Sequence, residues 1–427
     1  MRPHQDVNEM TREKKVAFIL SRYPLGVSSM IINSIRLFAH RGFSVDIHIN
    51  KKAFDASPLN FNEDHIQTVV FDDGISDFFL KGYRFLVKCT GNSLYPVTQK
   101  LTVPAGLMTV FPDIYFFSRW LAKQACLGNY DYIFPVECNS LLSLYHIRNW
   151  DNVVYYNMEL LDWSSDNPLY RNKLTLKNLE HRLIQRLQHV VLPSHSRAES
   201  FCRINDFDIR KTHILPVTAM GNPIQQRSRY FRKKFNIPDN HIVVLYSGNF
   251  QPWFQCREMI TAMKSCRIPY TLVMHTWNST AKSTPYFREM TKQAKGLPVF
   301  FSDEYIPYDH LSEALSSADI GLAFYDSIDD NFTEIMFSSN KMGEYFKAGL
   351  PVVCSDYPSL KKFILENRVG VPISVQETAG AVEDIADHLD EYRINTLQCY
   401  QDKFRFETYF DHFIHDLLQA PRRNNKC

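Results

Sequence analysis

FSSNKMGEYFKAGLPVVCSD, from Phe337 to Asp356, is the stretch whose reading decides the fold. Ser338 and Ser339 are residue types that cap a helix, and the spacing predicts one over Ser339–Ala348. The free N–H groups and dipole at its start attract an anion, and Lys341 adds a full positive charge in the first turn. Glu344, three residues on, shares a face with Lys341. Gly349 then closes the helix, and an apolar strand from Pro351 to Ser355 leads back into a sheet.

Outward from this segment, short β-branched or aromatic runs alternate with helical spacing, the pattern of parallel strands joined by crossover helices. In the second half the strand candidates are Ile242–Ser247, Tyr270–His275, Val299–Ser302, Ile320–Tyr325 and Pro351–Ser355, with helices over Arg257–Lys264 and Asp309–Ser316. In the first half they are Val16–Ser21, Val45–Asn50, Thr68–Phe71, Tyr132–Glu137, Val153–Glu159 and Val190–Ser194, with a helix over Ser28–His40. The α/β order thus appears twice, as two doubly wound parallel sheets. A polar stretch from Thr218 to Arg229 reads as the linker, so the expected domains are 1–217 and 218–395, followed by a helical tail, 396–427, that crosses back to the first domain. Open parallel sheets bind ligands at the carboxyl ends of their strands, and two such sheets face to face would share an interdomain cleft.

Composition narrows the function. With 427 residues, 45% hydrophobic and 22% charged, the chain suits two globular domains rather than disorder. Forty-eight Lys and Arg against 46 Asp and Glu give a net charge of +2, too little for gripping a nucleic-acid backbone. Nine cysteines without a C-x-x-C pair read as reduced thiols of a cytoplasmic protein. No run approaches ~20 apolar residues, so a membrane span is not expected. Residues 78–123 mix aromatic side chains with Lys81, Arg84, Lys88, Lys100, Arg119 and Lys123, a composition suited to peripheral contact with the inner face of a membrane. Asp72 with Asp73, and Asp329 with Asp330, are adjacent pairs whose side chains point apart, and no metal is expected. No G-x-G-x-x-G follows any strand, so no dinucleotide cofactor is expected either.

The 337–356 stretch resembles the C-terminal signature of family 4-like, retaining GT-B glycosyltransferases, whose Ser-Pro-x-Lys-x-x-Glu-Tyr-x-x-x-Gly-x-Pro-Val-Val pattern holds a nucleotide sugar. The resemblance extends to the opening strand at Val16, to Tyr246–Gly248, and to the segment from Ile306 to Asp319. It implies two Rossmann-like domains, a nucleotide-diphosphate sugar as co-substrate, and a glycan or lipid-linked acceptor. It places Lys341 on the diphosphate, Glu344 on the ribose, and Ser338, Ser339 and Asn340 on phosphate and sugar, with Gly248 and Ile306 also lining the donor site. Three positions depart from the family. Met336 stands where many members carry a carboxylate, and Asn249 and Phe254 stand where many carry Arg and Lys. Arg257 is the nearest replacement cation. Taken alone, Lys341 and Glu344 would be an exposed ion pair contributing ~0.3 kcal/mol.

On the acceptor side, Gly26 and Ser28 follow the first strand, and Glu137 and Glu159 end two others. Glu159 is the preferred general base if the reaction inverts configuration. His195 and Arg197, past Ser194, are weaker phosphate candidates. Two other functions share these residues: a nucleotide-sugar epimerase or hydrolase, and an inactive GT-B binding subunit. The oligomeric state, the sugar and the base stay open.

Overall fold

The computed structural model describes residues 14–72, 102–163, 173–277 and 279–419. The basic positions Lys81, Arg84, Lys88 and Lys100, together with Asp73, lie outside them. Contacts divide the chain into two compact units. The first runs to Ile214 and resumes at His412; the second runs from Leu215 to Asp411.

Among the described residues of the first unit seven strands form, β1 (Lys15–Leu20), β2 (Ser44–Asn50), β3 (Ile66–Phe71), β4 (Tyr132–Pro135), β5 (Val154–Tyr156), β6 (His189–Leu192) and β7 (Thr212–Ile214). Four join in the order β3-β2-β1-β4 and three as β5-β6-β7, and the parallel bridges Ile133–Val153 and Val136–Tyr156 connect the two sets. Every pairing is parallel. Strands buried on both faces need continuous apolar runs, and Val16–Leu20 is fully buried. Phe18 stacks on Phe134 at 4.8 Å and meets Tyr156 edge-on. From the end of the chain, Phe413 packs on Tyr156 and His213, and Tyr132 donates to the Leu417 carbonyl at 2.9 Å.

The second unit holds β8 (Ile242–Ser247), β9 (Tyr270–His275), β10 (Val299–Ser302), β11 (Ile320–Ala323), β12 (Val352–Cys354) and β13 (Gly370–Pro372), in the order β10-β9-β8-β11-β12-β13. All are parallel. Each unit therefore reverses strand order beside its first strand, the place where doubly wound sheets bind ligands.

The predicted strands form, most of them shortened at their carboxyl ends by one to three residues, as with Val154–Tyr156 against Val153–Glu159. β7 and β13 are additional edge strands. Within the described residues the tail is two helices, Leu389–Lys403 and Phe406–Gln419. Phe404 breaks it by packing against Phe337, Phe346 and Phe363 while its carbonyl accepts from Thr218 Oγ1 at 2.7 Å. Among the described residues no helix is long and apolar enough to cross a membrane.

Candidate functional site

The helix Asn340–Lys347 starts at Ser339, whose extended backbone (φ −109°, ψ 122°) is that of an N-cap. Its side chain makes no capping bond, contrary to the expectation from sequence. Ser339 Oγ lies 2.9 Å from the Tyr325 hydroxyl instead, and Ser338 Oγ bonds the Glu334 carbonyl at 3.3 Å. Neither serine hydroxyl is spent on the first-turn N–H groups. Gly349, in the left-handed region at φ +74°, ends the helix, where a side chain would be strained. Tyr345 joins the helix to the sheet: its hydroxyl accepts from Ser247 N at 2.8 Å, at the carboxyl end of β8.

Lys341 and Glu344 are not an ion pair. Glu344 is 3% exposed, and its Oε2 accepts from Ser312 Oγ at 2.5 Å. Its Oε1 is buried without a partner. Burial raises the Glu344 carboxyl above its usual range. Lys341 Nζ sits over three rings, 4.7 Å from the centroids of Tyr246 and Phe254 and 5.3 Å from that of Tyr325. The desolvation lowers its pKa to about 8. No carboxylate among the described residues pairs with it. Gly248 closes in from β8: a Cβ there would stand 2.7 Å from Nζ. Beside it, Asn249 Oδ1 is a second buried acceptor without a partner, held where the Tyr246 hydroxyl donates to the Asn249 carbonyl at 2.7 Å.

Lys341, Gly248, Asn249, Ser339 and the loop after β11 thus form one cluster at the carboxyl ends of β8 and β11, with Glu344 on the same helix. Arg257 does not join it. Its guanidinium bonds Glu289 at 2.6 Å and lies over Tyr286. Ile306 follows β10 with its side chain in the core, and Met336 is core as well. Asp329 is occupied in capping the Asp330–Thr333 helix through Asn331 N, and Asp72 pairs with Lys51 at 3.2 Å. Among the described residues no group of three or more His, Cys, Asp or Glu side chains is placed to hold a metal ion.

The first unit gathers a second polar cluster. Glu137, expected at a strand end, opens the helix Glu137–Ser143 in the left-handed region at φ +63°. Its Oε1 accepts from Met158 N at 2.9 Å, and Met158 Sδ accepts from Ser28 Oγ at 3.3 Å. Burial, and then the charge of Glu159, push the Glu137 carboxyl well above the usual range; Tyr23 is raised by burial and by both carboxylates. Gly26 is packed on Ser57, whose carbonyl accepts from Gly26 N at 3.3 Å. His195 and Arg197 fall on the helix His195–Asn205, where Arg197 is buried and its N–H is capped by Ser194 Oγ. Sequence reading missed the network beneath Glu159. Lys177 bonds Glu180 at 3.0 Å and Asn205 at 2.6 Å, Tyr155 donates to Glu180, and Asn157 bonds both Tyr155 and the Glu159 carbonyl. Its signal was a charged i, i+3 pair flanked by Leu176 and Leu179.

No protein-family model matches the chain, and no curated protein matches it by sequence. Solved structures do match it. Sucrose-phosphate synthase from Thermosynechococcus elongatus superposes with a TM-score of 0.65 at 14% identity, covering 96% of this chain and 100% of that one. Anabaena HepE, solved in complex with UDP and glucose, gives 0.64 at 14% identity over 95% of this chain and 100% of its own. WaaG, a glycosyltransferase involved in lipopolysaccharide biosynthesis, gives 0.63 at 12% identity, covering 95% and 100%. The fold is GT-B. Both Rossmann-like units belong to it, and the Lys341 cluster lies in the second of the two GT-B domains.

Proposed function

We propose that this GT-B protein transfers a sugar from a nucleotide-diphosphate donor, held by the second unit, to a hydroxyl acceptor served by the first. The observation that carries the reading is the unpaired ammonium of Lys341 on Gly248 with two buried orphan acceptors, Glu344 Oε1 and Asn249 Oδ1. A cation seeking an anion beside acceptors seeking hydroxyl or amide hydrogens complements a phosphorylated sugar nucleotide. The Asn340–Lys347 helix start adds its dipole to the same charge balance. UDP is the first donor nucleotide to test, because HepE is a structural neighbour solved with it.

In the retaining route the bond from the anomeric carbon to the diphosphate breaks while the acceptor oxygen attacks from the same face. The acceptor proton passes to an oxygen of the departing diphosphate. Lys341 neutralises the charge growing there, a role that needs no metal. Inversion would need a separate base. Glu159 is the first-unit carboxylate for that role, since burial raises the Glu137 carboxyl and its Oε1 is already occupied by Met158 N. NMR of the product anomer separates the two routes.

A thermal-shift screen with UDP, GDP, ADP and dTDP sugars tests the donor class, because a ligand bound only by the folded state raises the melting temperature. A screen without any shift contradicts the reading. A glycan or lipid-linked acceptor suits the basic, aromatic composition of residues 78–123, and co-flotation with anionic vesicles tests peripheral membrane contact.

A further inference from the structure

The rings around Lys341 are supplied by three separate parts of the second unit. Tyr246 is in β8, Tyr325 follows β11, and Phe254 ends a short 3₁₀ turn, Pro252–Phe254. That turn is fastened rather than loose. Asp326 N bonds the Trp253 carbonyl at 2.8 Å, and Gln255 Nε2 bonds Asp326 Oδ1 at 2.6 Å, which ties the Phe254 loop to the chain after β11. Phe254 meets Tyr325 edge-on at 5.9 Å, and the Tyr325 hydroxyl in turn meets Ser339 Oγ at the helix start. The rings and the helix that carries the lysine are therefore built as one piece.

We propose that Phe254, with Tyr246 and Tyr325, is a positioning residue that strips water from the Lys341 ammonium and aims it at the anion site, so that anion binding is coupled to proton uptake. The proposal rests on the donor reading above only for the identity of the anion. Ring faces stabilise an ammonium less than bulk water does, so the free site favours loss of the proton; a bound diphosphate restores it. The other titratable groups facing Lys341 stay neutral across the same range. Burial raises the hydroxyls of Tyr246 and Tyr325 above the usual tyrosine range, and it raises the Cys256 thiol to about 12. Lys341, lowered to about 8, is the one of these four whose charge changes near neutrality.

Two measurements on the full chain test this. The first needs no ligand. NMR titration of ¹³C-labelled lysine side chains, assigned with Lys341→Arg, should show one resonance titrating near pH 8 in the wild type. It should stay there in Phe254→Tyr, which keeps the ring, and move up toward the ordinary lysine value in Phe254→Leu, which admits water. A Lys341 that titrates in the ordinary range in the wild type, or that is unmoved by Phe254→Leu, overturns the proposal. The second is calorimetry of UDP binding at pH 8 in two buffers of different ionisation enthalpy. Uptake of about half a proton per UDP is expected for the wild type and Phe254→Tyr, and much less for Phe254→Leu. Equal uptake in all three overturns the coupling. A wild type whose Lys341 titrates near 8 but which binds no UDP fails the donor reading, while the aromatic enclosure stands.

Discussion

Ser312 Oγ donates to Glu344 Oε2 at 2.5 Å and leaves Glu344 Oε1 buried without a partner. A carboxyl group held in this way is costly to the empty protein and useful to a complex. One oxygen fixes the side chain, and the other waits for a donor.

Glu344→Gln should accordingly separate stability from binding. Burial raises the carboxyl in the folded state, so its ionisation opposes folding at neutral and alkaline pH, and the penalty fades as pH falls through the raised value toward the unfolded one. The variant should melt higher than wild type at pH 8, with the gap narrowing as pH falls toward the unfolded-state carboxyl value of about 4.3. Affinity for UDP should fall roughly 10- to 100-fold, the loss of a charged hydrogen bond of ~1.5–3 kcal/mol. Thermal melts and calorimetry check the two halves.

Gly248→Ala probes the other side of the cluster. The added methyl would stand 2.7 Å from Lys341 Nζ and 3.0 Å from the Tyr246 hydroxyl, while Gly248 lies outside the positive-φ region. The backbone tolerates alanine, but the buried, hydrogen-bonded Tyr246 ring and the enclosed ammonium must give way to the methyl, so the melting temperature should fall modestly. UDP affinity should drop because the ammonium is displaced, which calorimetry measures.

In the first unit, Glu137→Ala leaves Met158 N–H buried without its acceptor, an expected loss of ~1–3 kcal/mol in urea unfolding. Glu137→Gln keeps a carbonyl oxygen in the same place and should unfold close to wild type.

Lys177→Met should be the most destabilising of these changes. It leaves the Glu180 carboxylate, 1% exposed, facing only Tyr155, and breaking a buried pair from one side costs ~3–5 kcal/mol. The urea midpoint reads this directly, and Lys177→Met with Glu180→Gln should recover part of it.

Much of the fold was legible because parallel strands buried on both faces must be written as unbroken apolar runs, and Ile242–Ser247, Tyr270–His275 and Val299–Ser302 were read to the residue. Thr212–Ile214 and Gly370–Pro372 were not, since three residues at a sheet edge carry no such run. Lys341 and Glu344 stood out by spacing, but their environments did not. The rings over Lys341 come from positions 246, 254 and 325, and Ser312 reaches Glu344 from a different helix, so neither partner is encoded locally. Arg257 illustrates the converse: it is near the right loop in sequence, yet Glu289 and Tyr286 claim its guanidinium. Glu137 read as the end of a strand because nothing in its neighbours signals a left-handed residue there.

A crystal structure of the chain with UDP tests the account most directly. The diphosphate should lie within hydrogen-bond reach of Lys341 Nζ and the first-turn N–H groups of Asn340–Lys347, with a ribose hydroxyl donating to Glu344 Oε1. UDP bound elsewhere, with Lys341 still enclosed by its rings alone and Glu344 Oε1 still unpartnered, would contradict it.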